Sequence, residues 1–229
     1  MIREAMIEGV QLKVCGLSGL VDAELADRCG ADYLGFNLYP KSPRAIGLAQ
    51  YSAMAPRLPD RRKVAIAVAP SAEELLRMRD AGFDRFQIHF DRTTPMDLIA
   101  EWTEAVGEKA LWLAPRLPPG SEFDPAWLQF AGSFMLDGFR KDAYGGTGHT
   151  ADWEQFRRLR QQHAHKQWIL AGGLKPENVG EALLASGAQF VDVNSGVEAA
   201  PGIKDPDKLN AFVAALRTAV AARRVVPRS

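Results

Sequence analysis

Apolar runs of four to seven residues alternate with amphipathic stretches along the whole chain. The short runs read as strands, at residues 10–15, 33–38, 63–69, 85–89, 109–114, 133–137, 167–171 and 189–194. A helical stretch is expected after each, for example at 72–81, 152–163, 176–186 and 206–221. Repeated βα units of this kind build a parallel sheet. A weak internal repeat supports the count: Gly30, Gly82 and Gly187 each sit where a helix should end, three residues before a strand. Glycine takes a left-handed cap there without steric cost. Two helix starts also match, with Pro70 and Pro176 near the first turn and acidic residues beside them.

Eight βα units in 229 residues fit a compact (β/α)8 barrel, whose usual size is roughly 200–250 residues. No linker, low-complexity tract or composition shift interrupts the chain, so one domain over residues 1–229 is expected. The alternative is an open doubly wound sheet, which would more naturally carry five or six strands and a Gly-x-Gly-x-x-Gly turn after the first. Here the first strand is followed by Gly16-Leu17-Ser18-Gly19, which lacks that spacing.

Composition narrows the function. Lysine plus arginine equals aspartate plus glutamate, at 28 each. That balance argues against an electrostatic nucleic-acid binder. No apolar run approaches the roughly 18 residues of a membrane span, and Met1–Ala5 holds no signal-peptide core, so no membrane partner is expected. The two cysteines, Cys15 and Cys29, read as reduced thiols in a cytoplasm. The four histidines form no ligand set with either cysteine, so no metal is expected.

In a barrel the chemistry gathers at the carboxyl ends of the strands. Cys15, Asn37, His89, Arg116, Asp137 and Asn194 would all approach that face. A thiol and a carboxyl placed there, Cys15 and Asp137, make an acid/base pair. Alternation along a strand puts Lys13 about 7 Å below Cys15, at ~3.3 Å per residue, and Asp192 below Asn194. The first and last strands are neighbours when a barrel closes, so a buried Lys13–Asp192 pair is expected. Gly172-Gly173 after strand seven, and Asn194-Ser195-Gly196 after strand eight, let backbone N–H groups approach an anion closely. Gly145–Gly148, in the long connection after strand six, suits a lid that excludes water. Tyr39–Arg44 carries two stiffening prolines, so Arg44 can be held at the mouth against a carboxylate or phosphate.

These segments together resemble the phosphoribosylanthranilate isomerase family. Its likeness runs from about Val10 to Leu209 and is carried by Lys13–Gly16, Gly30–Phe36, Pro40–Arg44, Leu136-Asp137, Gly145–Gly148, Leu170–Leu174 with Pro176 and Asn178, Asp192–Glu198 and Pro201–Asp205. The resemblance implies a TIM barrel of the ribulose-phosphate-binding type. It also implies an Amadori rearrangement of N-(5′-phosphoribosyl)anthranilate to the matching aminoketose, in tryptophan biosynthesis, without a cofactor. By that likeness Asp137 is the general acid that opens the ribose ring and Cys15 the general base at C2′. Arg44 would hold the anthranilate carboxylate, and Gly172, Gly173, Asn194, Ser195 and Gly196 line the phosphate end. The partner is then a small phosphorylated molecule, and the protein a monomer or homodimer.

Four places depart from the family pattern. Ala69-Pro70 stands where an asparagine is common, Phe90 follows His89 where glycine is usual, Asn194 replaces a serine, and Ala114–Pro119 is unusual. Phe90 is expected to crowd the mouth. Three rivals are considered. A Schiff-base aldolase needs a lysine near an interior strand end, but Lys63 and Lys109 begin their strands and Lys13 lies too deep. The histidine-pathway isomerase of the same fold uses a carboxylate where Cys15 stands. A catalytically silent phosphosugar-binding barrel would have no need to keep both Cys15 and Asp137.

Overall fold

The structure, a computed structural model, describes residues 7–138 and 152–225. Eight parallel strands close on themselves in chain order, so that β8 pairs with β1. They are β1 (Gln11–Val14), β2 (Tyr33–Asn37), β3 (Arg62–Val68), β4 (Arg85–Asp91), β5 (Leu111–Arg116), β6 (Ser133–Leu136), β7 (Gln167–Leu170) and β8 (Phe190–Val193). The open sheet is thereby excluded. Helices α1 (Leu20–Arg28), α2 (Leu48–Met54), α3 (Ala72–Asp80) and α4 (Met96–Val106) follow the first four strands. Helices α5 (Trp153–Gln162), α6 (Val179–Ser186) and α7 (Pro206–Val225) follow the last three. Among the described residues no helix is long and apolar enough to cross a membrane.

Local signals act as expected. Gly30, Gly82 and Gly187 all have positive φ. Ser71 caps α3 by accepting from the Glu74 amide, and the Glu74 carboxylate returns a bond to the Ser71 amide. The expected helix after β5 is the exception. Pro115, Pro118, Pro119 and Pro125 remove backbone donors there, and only a short 3-10 turn, Pro125–Gln129, forms. Aromatic side chains cover the gap. Trp127 meets Phe90 and Phe123 edge-on at 5.3 Å each, and Phe123 meets Phe134 and Trp168 at 5.4 and 5.2 Å.

Phe90 therefore does not crowd the mouth. His89 points into the barrel, so by alternation Phe90 points outward, fully buried between Trp102 and Trp127. Both faces of a closed parallel sheet are buried, so the strands read as nearly continuous apolar runs. Outward residues such as Leu12, Val14, Leu34, Phe36, Ile88 and Val191 pack with the helices. A separate inner cluster holds Tyr33, Val64, Trp112, Met135, Ile169 and Phe190. In it Tyr33 stacks on Phe190 at 5.1 Å, and Trp112 meets both edge-on at 5.0 and 5.4 Å. This aromatic floor lies at the amino end of the strands, below a layer of buried polar groups.

Candidate active site

That polar layer begins with Lys13, which is fully buried and donates to Asp192 Oδ1 at 2.9 Å. The expected pair forms because β1 and β8 place the two residues directly opposite each other. Gly35 on β2 makes the room. A Cβ at that position would stand 2.9 Å from Lys13 Cε, 3.1 Å from Lys13 Nζ and 3.1 Å from Cys15 Cα. On the inward face of β4, Gln87 and His89 are buried, with Gln87 Nε2 2.8 Å from His89 Nε2. Burial, aided by the Lys13 charge, lowers the His89 imidazole to about 4, so it is neutral at physiological pH.

Cys15 follows β1 two residues above Lys13, with its amide donating to the Val193 carbonyl at 2.9 Å. Its side chain is buried. Desolvation pushes the thiol up, and the Lys13 ammonium acts against that push. Asp137 follows β6 and is partly buried. Its Oδ1 accepts from the Gly138 amide at 2.7 Å. Desolvation first, and the Asp192 charge second, push its carboxyl up to about 7. An acid with that value is present in both protonation states at neutral pH.

The remaining expected residues form one arc around these two. Gly16 has positive φ, and a Cβ there would meet Asn194 Oδ1 at 2.6 Å and Arg44 Cδ at 2.7 Å. Arg44 and Asn194 thus close on the turn that follows Cys15. At the other side Gly172, also with positive φ, lies against Gly138, and a Cβ on it would stand 3.0 Å from Asp137 Oδ1. Gly196 lies against the Leu174 carbonyl, so the turns after β7 and β8 touch. Ser195 and Gly196 sit in the short 3-10 turn Ser195–Val197. Asn178 braces the other turn, donating to the Gly173 carbonyl and accepting from the Lys175 amide, both at 2.9 Å.

Three residues to which the sequence reading gave no role complete the frame. The small antiparallel hairpin of β9 (Glu198–Ala200) and β10 (Ile203–Lys204) follows β8. Its Glu198 carboxylate accepts from Arg44 Nε at 2.9 Å and Nη2 at 2.6 Å, and from Lys204 Nζ at 2.8 Å. Lys204 also donates to Asn194 Oδ1 at 3.1 Å. Arg44 is therefore clamped along its Nε/Nη2 edge. Burial pushes the Glu198 carboxyl up, but the bonds from Arg44 and the charge of Lys204 more than reverse this and hold it below its ordinary 4.5. The third residue, Gly35, shows only through its contact with Lys13. Arg116 and Asp91 pair at the rim at 3.4 Å. The glycine cluster Gly145–Gly148 lies outside the described residues.

Residues 12–215 match the family described as N-(5'phosphoribosyl)anthranilate (PRA) isomerase. The chain belongs to that family. As a member of the N-(5'-phosphoribosyl)anthranilate isomerase family it is an isomerase. Family members similar to it include one from Neisseria gonorrhoeae, 38% identical over 90% of this chain and 95% of its own. Another, from Pseudomonas putida, is 38% identical over 92% and 98%. The crystal structure of the Thermus thermophilus enzyme is 34% identical, with a TM-score of 0.75 over 91% of this chain and 98% of that one. A further family structure, at 26% identity and a TM-score of 0.69 over 91% and 99%, is in complex with reduced 1-(o-carboxyphenylamino)-1-deoxyribulose 5-phosphate.

Proposed function

We propose that this isomerase of tryptophan biosynthesis converts N-(5'-phosphoribosyl)anthranilate to its 1-deoxyribulose 5-phosphate aminoketose, with Asp137 as general acid and Cys15 as general base. The observation that carries the reading is the arc itself: a thiol and a carboxyl at the ends of β1 and β6, joined by Gly16, Asn194 and the two touching glycine turns. Asp137, with a value of about 7, can give its proton to the ribose ring oxygen as the C1′–O bond breaks. The electron pair of that bond leaves with the oxygen, and the anilino nitrogen supplies the pair that forms C1′=N. Cys15, as thiolate, then removes the C2′ proton, and the C2′–H electrons move through C1′ to nitrogen. The enol so formed returns to the ketone by losing a hydroxyl proton and gaining one at C1′. Protons and electrons balance within the substrate, so the rearrangement is a net isomerisation.

The Nη1 edge of Arg44 suits the anthranilate carboxylate, because a guanidinium already fixed by Glu198 loses little freedom on meeting a second carboxylate. Gly172, Gly173, Ser195 and Gly196, with Asn194 beside them, suit the phosphate, since bare backbone lets N–H groups reach it. Each proton-transfer group is typically worth 10² to 10⁴-fold in rate. Cys15→Ala and Asp137→Asn should therefore each cut turnover of freshly made phosphoribosylanthranilate by at least ~10²-fold, with the circular dichroism unchanged. Neither variant should rescue a tryptophan auxotroph. Wild-type turnover in either one removes that residue from the mechanism.

A further inference from the structure

Burial acts on both reacting groups in the same direction. It pushes the Asp137 carboxyl up, which keeps an acid protonated, and it pushes the Cys15 thiol up, which withholds a base. A desolvated mouth thus helps one half of the reaction and hinders the other. Something asymmetric has to distinguish them.

The asymmetric element is the ion pair beneath the mouth. Lys13 shares the inward face of β1 with Cys15, and its Nζ is folded over Gly35, the glycine that also touches Cys15 Cα. Asp192 lies on β8, away from β2. Between Asp192 and Asp137 stands only β7, and its inward residue there, Ala171, carries just a methyl group. We propose that the buried Lys13–Asp192 pair is a positioning dipole for the reaction, its ammonium end beside Cys15 and its carboxylate end toward Asp137. The positive end draws the base toward thiolate while the negative end keeps the acid protonated. The inference rests on the roles proposed above for Cys15 and Asp137.

The charges that reach each group agree with this arrangement. For the thiol they are Lys13 and Asp192 below it, with Lys204 from the hairpin and Arg44 from the loop after β2, and the Lys13 effect outweighs that of Asp192. For Asp137 they are Asp192, the Gly138 amide and Lys13, and here the Asp192 effect is the larger. Neutral His89 adds no charge. Gly35 is part of the device, because any side chain there would take the space of the ammonium.

The test uses full-length protein carrying Cys29→Ser, so that Cys15 is the only thiol. Iodoacetamide alkylation against pH, without substrate, reads the Cys15 midpoint. The break near pH 7 in kcat against pH reads Asp137. Replacing both charges with apolar groups of similar volume, Lys13→Met with Asp192→Leu, leaves no unpaired charge and is often tolerated. In that variant the thiol midpoint should rise and the kcat break near 7 should fall, each by about one pH unit or more. Asp192→Glu, which keeps the pair, should restore both. If the double variant does not fold, Asp192→Asn alone should still lower that break. Midpoints that stay in place in these variants overturn the dipole, even if activity is lost. That outcome leaves the roles of Cys15 and Asp137 standing, since those are judged by their own substitutions.

Discussion

Asp137→Asn should remove activity and yet make the folded protein more stable in mild alkali. Folding raises the carboxyl from its ordinary 3.8 to about 7. Below about pH 4 the group carries a proton in both folded and unfolded chains and contributes nothing to stability. Between about pH 4 and 7 only the folded chain keeps the proton, so stability falls as pH rises. Above about 7 both states are ionised, and the folded state bears the full cost of a desolvated carboxylate near Asp192. Some three pH units at about 1.4 kcal/mol each set a ceiling of about 4 kcal/mol. Asp137 is partly open to solvent at the mouth, which brings the expected figure to about 2 kcal/mol. Asparagine has nearly the same shape, and its carbonyl can still accept the Gly138 N–H, so the substitution removes the charge and little else. Urea unfolding followed by tryptophan fluorescence is a direct assay. At pH 8.5 the variant's midpoint should exceed that of wild type by roughly 1 M, for an m-value of about 2 kcal/mol/M, and at pH 4 the two curves should nearly coincide. Equal gaps at both pH values, or a less stable variant at pH 8.5, would show that the carboxyl does not titrate as argued.

Two further substitutions probe the frame. Gly35→Ala places a methyl 2.9 Å from Lys13 Cε and 3.1 Å from the Cys15 backbone; the end of the lysine must shift, which should loosen its contact with Asp192, visible as a fall in Tm together with slower Cys15 alkylation. Glu198→Gln leaves Arg44 and buried Lys204 without their shared carboxylate, so KM should rise more than kcat falls, and stability should drop by a few kcal/mol at neutral pH. Because the Glu198 value is lowered on folding, the stability it contributes is present above its unfolded value and lost as pH falls, and the gap to Glu198→Gln should close in acid.

Most of the barrel was legible because strand, helix and glycine cap repeat with one period, and because two-residue alternation ties depth to sequence. The Lys13–Asp192 contact follows from that alternation and from closure alone. The helix missing after β5 was less legible: the prolines mark trouble, but only packing shows that Trp127 and Phe123 fill the space. Phe90 misled for the same reason, since its neighbour His89 takes the inward side. At the mouth, Cys15, Asp137, Arg44 and the glycine turns each carry a local signal. Glu198 and Lys204 lie in matching segments but show no role in sequence, because Glu198 meets Arg44 only when the hairpin folds back onto a loop more than 150 residues earlier, with Lys204 beside it. Ala69 is a different case. Its φ of 39° is a backbone state that asparagine enters more readily than alanine, so the strain at this departure shows only in the folded backbone.

The packed rings of Tyr33, Trp112 and Phe190 close the floor of the barrel. In the mechanism proposed above, a proton taken from the sugar by Cys15 cannot leave through this floor and shares the mouth with the ligand.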